Sequence, residues 1–578
     1  MKFSQFVLRG VFALSILLIG FSCAVNPVSG KKEISFMSES QELALGKQSD
    51  PSIVASFGLY EDQKLQDFIN EKGKEMAAIS HRPNLPYEFK ILDSPVINAF
   101  AVPGGYVYFT RGILAHFNNE AEFAGVLGHE IGHVTARHSA RAHSKQILGQ
   151  AGFIIGVIAL PGARELAEPA SQALQLLFLK NSRDHESESD KLGVEYSTQV
   201  GYDAHHMANF LQTLKRKQVE AGVNIPTWQS THPDPGDRFN RVHQLAEECQ
   251  AEKGGSYKVN RESYLSMIDG LIYGEDPKGG YVEDDYFYHP VMKFKFPIPR
   301  GWQTQNSPTA FRMADKDGKG MMMLTLGEGN TPEAAAQAFN EKQQLRPSRG
   351  QRTQVNGMNA YVQVADQVQQ QQGQQQQGQQ AALKILSYFI EYNGAIYQMH
   401  GVTKPTDYAS MERTFAYTME GFNVLTDPSK INRQPDRIKI VKVTRSGTLS
   451  SVLQSYKMPQ AKMDELSLIN GMNLTDQVSN GTLIKLVEYD YLNRGSVLPS
   501  QSRTNTQPST TRPTTTRPTT TSPTTTRPTT TRPTTTKPTT TQPSGNTNPG
   551  KTAPPPPRSS TKSSGTTKPG KLKKKNDN

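Results

Sequence analysis

Two histidines four residues apart, in a segment with a helical apolar repeat, place the strongest constraint on how this chain folds. Residues 119–141 begin with Asn119, a favourable helix N-cap, and acidic residues follow in the first turn. Four residues turn through about 400° of helix, so His129 and His133 lie on one face about 6 Å apart. Both rings can then bind one Zn²⁺ ion, so the pattern predicts a zinc-binding helix.

Glu130 lies about 100° around this helix from His129. Its carboxylate is therefore expected beside the metal, where it can accept a proton from zinc-activated water and pass it to a leaving amine. His138 lies about 180° from His129 and is expected to face away. The alternative is a helix with one solvent-exposed and one core histidine, but the helix caps, an export signal and downstream acidic residues favour zinc.

A catalytic zinc site takes three protein ligands and keeps one open position, so a third ligand must come from elsewhere. The best source is the acid-rich segment 182–190, which is expected to be helical. Glu186 and Asp190 share a helix face there, which suits one ligand and one acceptor that fixes a histidine ring. Glu188 lies about 200° from Glu186 and is expected to be a solvated charge. His185 is the alternative ligand.

The amino terminus has the form of an export signal, with early basic residues and an uncharged apolar run from Val11 to Phe21. Residues 1–22 are therefore predicted to be a signal peptide, and Cys23 a lipidation site that anchors the chain to a membrane. The alternative is a plain secretory signal with an unrelated cysteine. Cys249 is the only other cysteine, so lipidation of Cys23 leaves no pair for an intramolecular disulfide.

A chain of 578 residues is too long for one core and is expected to form about three domains with tails. Two short apolar runs around the turn 103–105 predict a β hairpin within a mainly helical first domain. Asn-Gly pairs at 356–357 and 393–394 predict hairpin turns in a second, β-rich one. The predicted units are 23–280, mainly α with a small β sheet; 285–427, α+β with a Gln-rich loop at 367–380; 437–489, a small module; and 495–578, a disordered Thr/Pro-rich basic tail.

The net charge of +11 does not indicate a nucleic-acid partner. The tail from residue 501 onward contains 14 lysines and arginines and one acidic residue, which leaves the first 500 residues with a net charge of −2. The basic character is thus confined to the tail, and no nucleic acid is expected to bind the folded part.

The motifs together resemble the zinc metallopeptidase family that includes the CAAX prenyl protease, HtpX and BepA. The resemblance covers residues 26–246 and is carried by the sequences at 26–30, 98–100, 103–105 and 129–133 and by Glu186-x-Glu188-x-Asp190. It implies a gluzincin fold of the periplasmic lipoprotein branch with one Zn²⁺ per chain. The implied roles are ligands His129, His133 and Glu186, general base Glu130, Asp190 supporting a ligand histidine, and Asn98, Ala99 and Phe100 as an edge that binds substrate.

His232 lies in a Pro-rich sequence that matches another motif of this family. It is a candidate catalytic residue that binds the developing oxyanion, or a residue that occupies the open zinc position and keeps the enzyme latent. The simpler alternative is a histidine in a turn that caps the following helix.

Residues 437–489 resemble the LysM module, which binds N-acetylglucosamine polymers, through 446–449, 468–471 and 483–486. The sequence Ser446-Gly447-Thr448 departs from the usual Gly-Asp-Thr, so peptidoglycan is only a candidate partner. The preceding β-rich unit resembles PsbP-like folds, and no chemistry is assigned to it.

The sequence therefore predicts an exported zinc endopeptidase at the periplasmic face of a membrane, as an outer-membrane lipoprotein. Its expected substrates are misfolded or misassembled envelope polypeptides, as in protein quality control. One alternative is an envelope assembly or binding protein with a latent zinc site, tethered by its C-terminal modules. Another is a scaffold in which zinc is purely structural and has four protein ligands.

Overall fold

The computed structural model describes residues 23–34, 37–142, 181–221, 232, 237–367 and 383–490. The predicted signal peptide, the Thr/Pro-rich tail and all but the first residue of the Gln-rich loop lie outside these residues. The predicted lipidation site, Cys23, begins a short strand pair, β1 (Cys23–Val25) and β2 (Lys32–Ile34). Within the described residues, no helix has the length and apolar character needed to cross a membrane.

The first region is mainly helical, with one small sheet. Its strands are β3 (Glu88–Leu92), β4 (Ala99–Val102) and β5 (Tyr106–Thr110). Its helices are α1 (Glu39–Phe57), α2 (Gln63–Ala78), α3 (Arg111–His116), α4 (Glu120–Thr135), α5 (Arg183–Gln199), α6 (His205–Ala221), α7 (Arg238–Lys253) and α8 (Arg261–Met267).

The small sheet contains the predicted hairpin. The strand order is β3-β5-β4, with β4 antiparallel and β3 parallel to β5. Gly104 and Gly105 form the turn between β4 and β5 with φ values of 89° and 97°. Only glycine adopts such values readily, so this turn accounts for the pair of glycines in the sequence.

The second region is rich in β structure, as the alternating sequence predicts. Strands β9 (Gln303–Ser307), β10 (Ala310–Ala314), β11 (Gly320–Leu326), β12 (Leu345–Val355), β13 (Met358–Gln367), β14 (Lys384–Tyr392) and β15 (Ala395–Thr403) form one antiparallel sheet. A smaller sheet contains β6 (Tyr281–Glu283), β7 (Tyr286–His289), β8 (Phe294–Pro297) and β16 (Asn423–Val424).

Two helices cover opposite faces of the larger sheet, α9 (Pro332–Gln343) and α10 (Tyr408–Glu420). Phe339 of α9 packs with Phe389, whereas Phe415 of α10 joins the core on the other face. The hairpin turns at 356–357 and 393–394 have positive φ at both residues, as the predicted type I′ turns require.

The last described region contains a small module with two pairs of strands and two helices of seven residues each. It contains α11 (Pro428–Ile431), β17 (Arg437–Lys442), β18 (Gly447–Thr448), α12 (Leu449–Ser455), α13 (Met463–Ile469), β19 (Gln477–Val478) and β20 (Leu483–Glu488). Strand β17 pairs with β20, and β18 with β19.

This C-terminal module (residues 437–490) shares one hydrophobic core with the helical region. Lys485 is fully buried between the two, and its ammonium donates to the carbonyls of Ala115, Phe117 and Ile469 at 2.9, 2.6 and 2.8 Å. Burial lowers the pKa of Lys485 well below its usual value. Because Ala115 and Phe117 lie just before α4, this contact fixes the chain that leads into α4.

We expect Lys485→Met to lower the free energy of unfolding by about 2–3 kcal/mol, because it leaves three buried carbonyls without their shared donor. Chemical denaturation followed by circular dichroism measures this loss. Lys457→Met on the exposed side of the same module is the matched control and should change stability by less than about 0.5 kcal/mol. Equal effects of both substitutions would contradict the interdomain role of Lys485.

Candidate metal centre

Helix α4 is built to pack closely at its centre. Asn119 caps it by accepting a hydrogen bond from the backbone N–H of Glu122 at 2.8 Å. Every residue of the helix is buried. A Cβ at Gly128 would lie 3.0 Å from the backbone oxygen of Gly193 in α5, so glycine lets the two helices approach each other. This approach brings the first turns of α5 to the histidine face of α4.

Four buried side chains direct their metal-binding atoms to one point. The ligand atoms of His129, His133, Glu186 and His232 all lie within 4.8 Å of one another. The two Nε2 atoms of His129 and His133 are 3.0 Å apart, and the Glu186 carboxylate lies 3.4 and 3.5 Å from them. Three imidazoles and a carboxylate are typical donors for zinc, so these residues fit the implied ion.

The site attracts positive charge. The carboxylates of Asp190 and Glu186 outweigh the opposing effect of burial and raise the pKa of His129 to about 9. Burial lowers the pKa of His133 well below its usual value, which favours the neutral form of this ring. The two carboxylates thus favour positive charge beside His129, which suits a site for a divalent metal ion.

His232 lies inside the cluster. Its Nδ1 is 3.1 Å from the Glu186 carboxylate and 3.3 Å from His129 Nε2. Its Nε2 lies 3.6 Å from the carboxylate of Glu130. The ring of His232 thus lies near both the metal-binding side chains and the predicted base. A histidine that only caps a turn would not make these contacts.

Glu130 lies beside the cluster and is not part of it. Its side chain is fully buried, and neither carboxylate oxygen has a hydrogen-bond partner among the described residues. Burial raises the pKa of Glu130, an effect that His232 and His129 partly oppose. A buried carboxylate without a permanent donor keeps its oxygens available to accept a proton.

Asp190 lies behind His129, on the side away from the cluster. Its carboxylate is 3.1 Å from His129 Nδ1 and is held by the guanidinium groups of Arg238 and Arg241. Although burial disfavours the charged form, Arg238 and His129 lower the pKa of Asp190. An ionised acceptor on Nδ1 keeps the Nε2 of His129 directed to the metal position. The sequence gives no indication of the two arginines, because they come from α7.

His138 does not face away, so this expectation is wrong. Helix α4 ends at Thr135, and Arg137 adopts a left-handed backbone with φ of 57°. This turn brings His138 back onto the site, where its Nδ1 lies 2.9 Å from Nδ1 of His133. A left-handed residue other than glycine is uncommon, and no glycine or proline announces the helix end.

One expectation for the acid-rich helix also needs correction. Glu188 is not a solvated charge, because its carboxylate accepts from His138 Nε2 at 3.0 Å and from Arg141 at 3.2 Å. His185, the alternative ligand, is absent from the metal-binding group. Its ring stacks on His138 with centroids 4.3 Å apart and planes 6° apart. The sequence spacing identified the helix faces but not the contacts with residues beyond α4.

The predicted substrate edge lies next to the histidines. Strand β4 is at the edge of its sheet, and no strand in the described ranges pairs with its outer side. Thr110 N–H donates to the carbonyl of Asn98, so the alternating ladder directs the backbone groups of Ala99 and Ala101 away from β5. The side chain of Phe100 is buried against Tyr108. A groove beside this edge is lined by Ala101, Val102, Pro103, Gly104, His133 and Arg137.

Residues 63–246 match the sequence profile of Peptidase family M48. The chain contains an M48 peptidase domain. The matched range includes all four members of the metal-binding group, and zinc is the metal that M48 metallopeptidases use. The expected resemblance to the family of BepA is confirmed.

Curated proteins similar to this chain include bacterial and mitochondrial peptidases. The chain is 32% identical over 231 residues to the beta-barrel assembly-enhancing protease of Yersinia pestis, covering 38% of this chain and 47% of the relative. It is 29% identical to the protein of the same name in Escherichia coli K12, with the same coverage. It is 30% identical over 186 residues to mitochondrial metalloendopeptidase OMA1 of Arabidopsis thaliana, covering 32% and 36%. The chain thus spans less than half the length of these relatives.

Solved structures similar to parts of this chain have TM-scores of about 0.2. Cyanobacterial PsbP from Synechocystis covers 24% of this chain and 91% of its own length, with 12% identity and a TM-score of 0.19. The Ran-binding protein Mog1p of Saccharomyces cerevisiae covers 26% and 99%, with 11% identity and a TM-score of 0.20. Likenesses of this size carry no argument about function.

We expect Gly128→Ala in the M48 domain to weaken zinc binding and to destabilise the fold by about 1–3 kcal/mol through overpacking against Gly193. This cost exceeds the gain in helix propensity of about 1 kcal/mol from replacing glycine. Zinc titration and thermal unfolding measure the two effects. Gly279→Ala, where the added methyl meets nothing within 4 Å, is the control. If Gly128→Ala binds zinc as the wild type does, close helix approach does not build the site.

Proposed function

We propose that the M48 domain is a zinc-dependent endopeptidase that hydrolyses peptide bonds of cell-envelope proteins. The observation that supports it most strongly is the convergence of four buried metal-binding side chains beside Glu130, whose carboxylate has no hydrogen-bond partner among the described residues. His129, His133 and Glu186 are the proposed ligands of one Zn²⁺. A purely structural site would have no use for an available carboxylate next to the ligands.

Zinc, when bound, supplies Lewis-acid polarisation of water and of the peptide carbonyl. Glu130 accepts the proton of the attacking water and then donates it to the leaving amine nitrogen. Asp190 holds the ring of His129 through Nδ1, so the ligand does not rotate when substrate binds. Complete burial of Glu130 excludes bulk water that would compete for its proton.

The edge of β4 supports extended peptides as substrates. The outward backbone groups of Ala99 and Ala101 can pair with a peptide added as another strand, while Asn98 and Phe100 hold the edge in place. This mode recognises backbone and accepts many side chains, which suits an enzyme for unfolded or misassembled polypeptides. Folded proteins offer few unpaired extended segments.

His232 supports a latent resting state. Its Nδ1 lies among the ligand atoms, in the place where a catalytic zinc site keeps an open position. We therefore propose that His232 binds zinc in the resting enzyme and must leave before substrate is hydrolysed. The role in binding an oxyanion, the other sequence-based hypothesis, requires the ring to move away from Glu186 first.

The proposed location is the periplasmic face of the outer membrane, through an export signal and a lipid on Cys23. The names of the bacterial relatives, which are beta-barrel assembly-enhancing proteases, support envelope proteins as substrates.

Loss of acyl labelling and of membrane retention in Cys23→Ser tests the anchor. Peptidoglycan binding by the LysM-like module stays a prediction, and a pull-down with purified sacculi checks it.

We expect Glu130→Gln to reduce cleavage of casein by about 10²–10⁴-fold, because the amide cannot accept the proton of water. The variant should keep one zinc per chain, since Glu130 is not among the converging ligand atoms. Quenched-fluorescent casein and elemental analysis measure the two quantities. Equal cleavage by wild type and variant, with no trace of contaminating protease, would contradict the proposal.

We expect His232→Ala to retain zinc and to cleave casein at least about tenfold faster than the wild type, because it opens the fourth position without removing the three ligands. The same assay and zinc analysis check this. A fall in rate with zinc retained would instead support the oxyanion role. If His232→Ala and the wild type are both inert, the endopeptidase proposal fails.

A further inference from the structure

His133 uses both ring nitrogens in the structure. Its Nε2 faces the metal-binding group, 3.0 Å from His129 Nε2. Its Nδ1 lies 2.9 Å from Nδ1 of His138, a residue that no step of the proposed hydrolysis uses. Both side chains are buried, with exposures of 4% and 0%. Two nitrogens at this distance must share a hydrogen, so one ring donates and the other accepts.

The direction of this hydrogen bond follows from the ligand role of His133. Its Nε2 must present a lone pair to bind zinc, so its Nδ1 bears the hydrogen and donates to His138. Nδ1 of His138 is then the acceptor, and its Nε2 bears the other hydrogen. That atom lies 3.0 Å from the carboxylate of Glu188, which accepts it. Every polar atom along this line has a consistent role.

The ring of His138 is held in place on several sides. His185 stacks on His138 with the two planes 6° apart. Ser189 Oγ lies 3.2 Å from Nδ1 of His138, and Arg141 donates to the Glu188 carboxylate at 3.2 Å. A core histidine needs only one partner for each nitrogen, whereas Nδ1 of His138 has two. This ring has a ligand histidine on one side and a carboxylate on the other, with a stacked ring above.

The two histidine ligands are thus supported in parallel ways from one helix. In α5, Glu186 contributes a ligand atom and Asp190 accepts from His129 directly. Glu188 projects about 200° from Glu186 and does not face His129 or His133. The left-handed turn at Arg137 places His138 between Glu188 and His133, and so completes the second connection.

We propose that His138 and Glu188 form a hydrogen-bond relay that fixes His133 with Nδ1 protonated and Nε2 directed at zinc. They are positioning residues, since neither contributes an atom to the metal-binding group. The inference rests on the proposed zinc site. The proposed relay explains why a histidine stands at position 138 and a glutamate at position 188, which packing alone does not explain.

The test compares zinc affinity across four variants of the full chain at one pH, by competition with a chromophoric chelator. His138→Phe keeps a flat ring but removes the acceptor and should weaken zinc binding about 10–100-fold. His138→Asn restores an acceptor near Nδ1 and should bind more tightly than His138→Phe. The zinc affinity of Glu188→Gln should lie between the affinities of the two His138 variants and that of the wild type. Glu195→Gln, which removes the same charge from a later turn of α5, should match the wild type.

Two further readouts separate positioning from folding. The thermal midpoint of each metal-free variant reports whether the substitution harms the fold itself. In the metal-free protein, ¹⁵N ring shifts of His133 should show the Nδ1–H tautomer in the wild type and a mixture of tautomers in His138→Phe. Unchanged zinc affinity and an unchanged tautomer in a folded His138→Phe would overturn the relay. A wild type that binds no zinc would instead refute the proposed function.

Discussion

The site depends on the close contact of two helices. Gly128 in α4 and Gly193 in α5 have no side chains, which lets the helix backbones meet at a distance at which a Cβ would be crowded, 3.0 Å from the facing backbone. The histidines of α4 and the acidic residues of α5 are thereby brought to one buried point. Helix propensity works against glycine here by about 1 kcal/mol per position. The packing must therefore outweigh that cost, and the buried, converging donors show what the contact achieves.

Around that contact, charge is arranged in layers. The innermost layer comprises the metal-binding atoms, and beyond it lie acceptors that fix the rings. Asp190 is neutralised in turn by Arg238 and Arg241, and Glu188 by Arg141. A buried carboxylate without such partners would be costly. The two proposed histidine ligands are therefore each connected to an ionised carboxylate whose charge is balanced, His129 directly to Asp190 and His133 to Glu188 through His138.

Sequence spacing was sufficient where structure is local. The i, i+4 pairs in α4 and α5 placed His129 with His133 and Glu186 with Asp190, because helix geometry is nearly invariant. The hairpin was equally local. Spacing failed at His138, because a helix that continued beyond Thr135 would direct this residue away from the site, whereas α4 ends at Thr135. It also gave no sign that the C-terminal module would join the core of the helical region, because that contact links residues more than 300 positions apart.

The central claim is that one zinc ion binds between α4 and α5. Anomalous diffraction from crystals of the full chain, collected on both sides of the zinc absorption edge, tests it most directly. The account predicts one peak per chain within about 2.0–2.2 Å of His129 Nε2, His133 Nε2 and a carboxylate oxygen of Glu186. No peak at this position in zinc-supplemented protein, or a peak bound by residues that do not include these three, would contradict it.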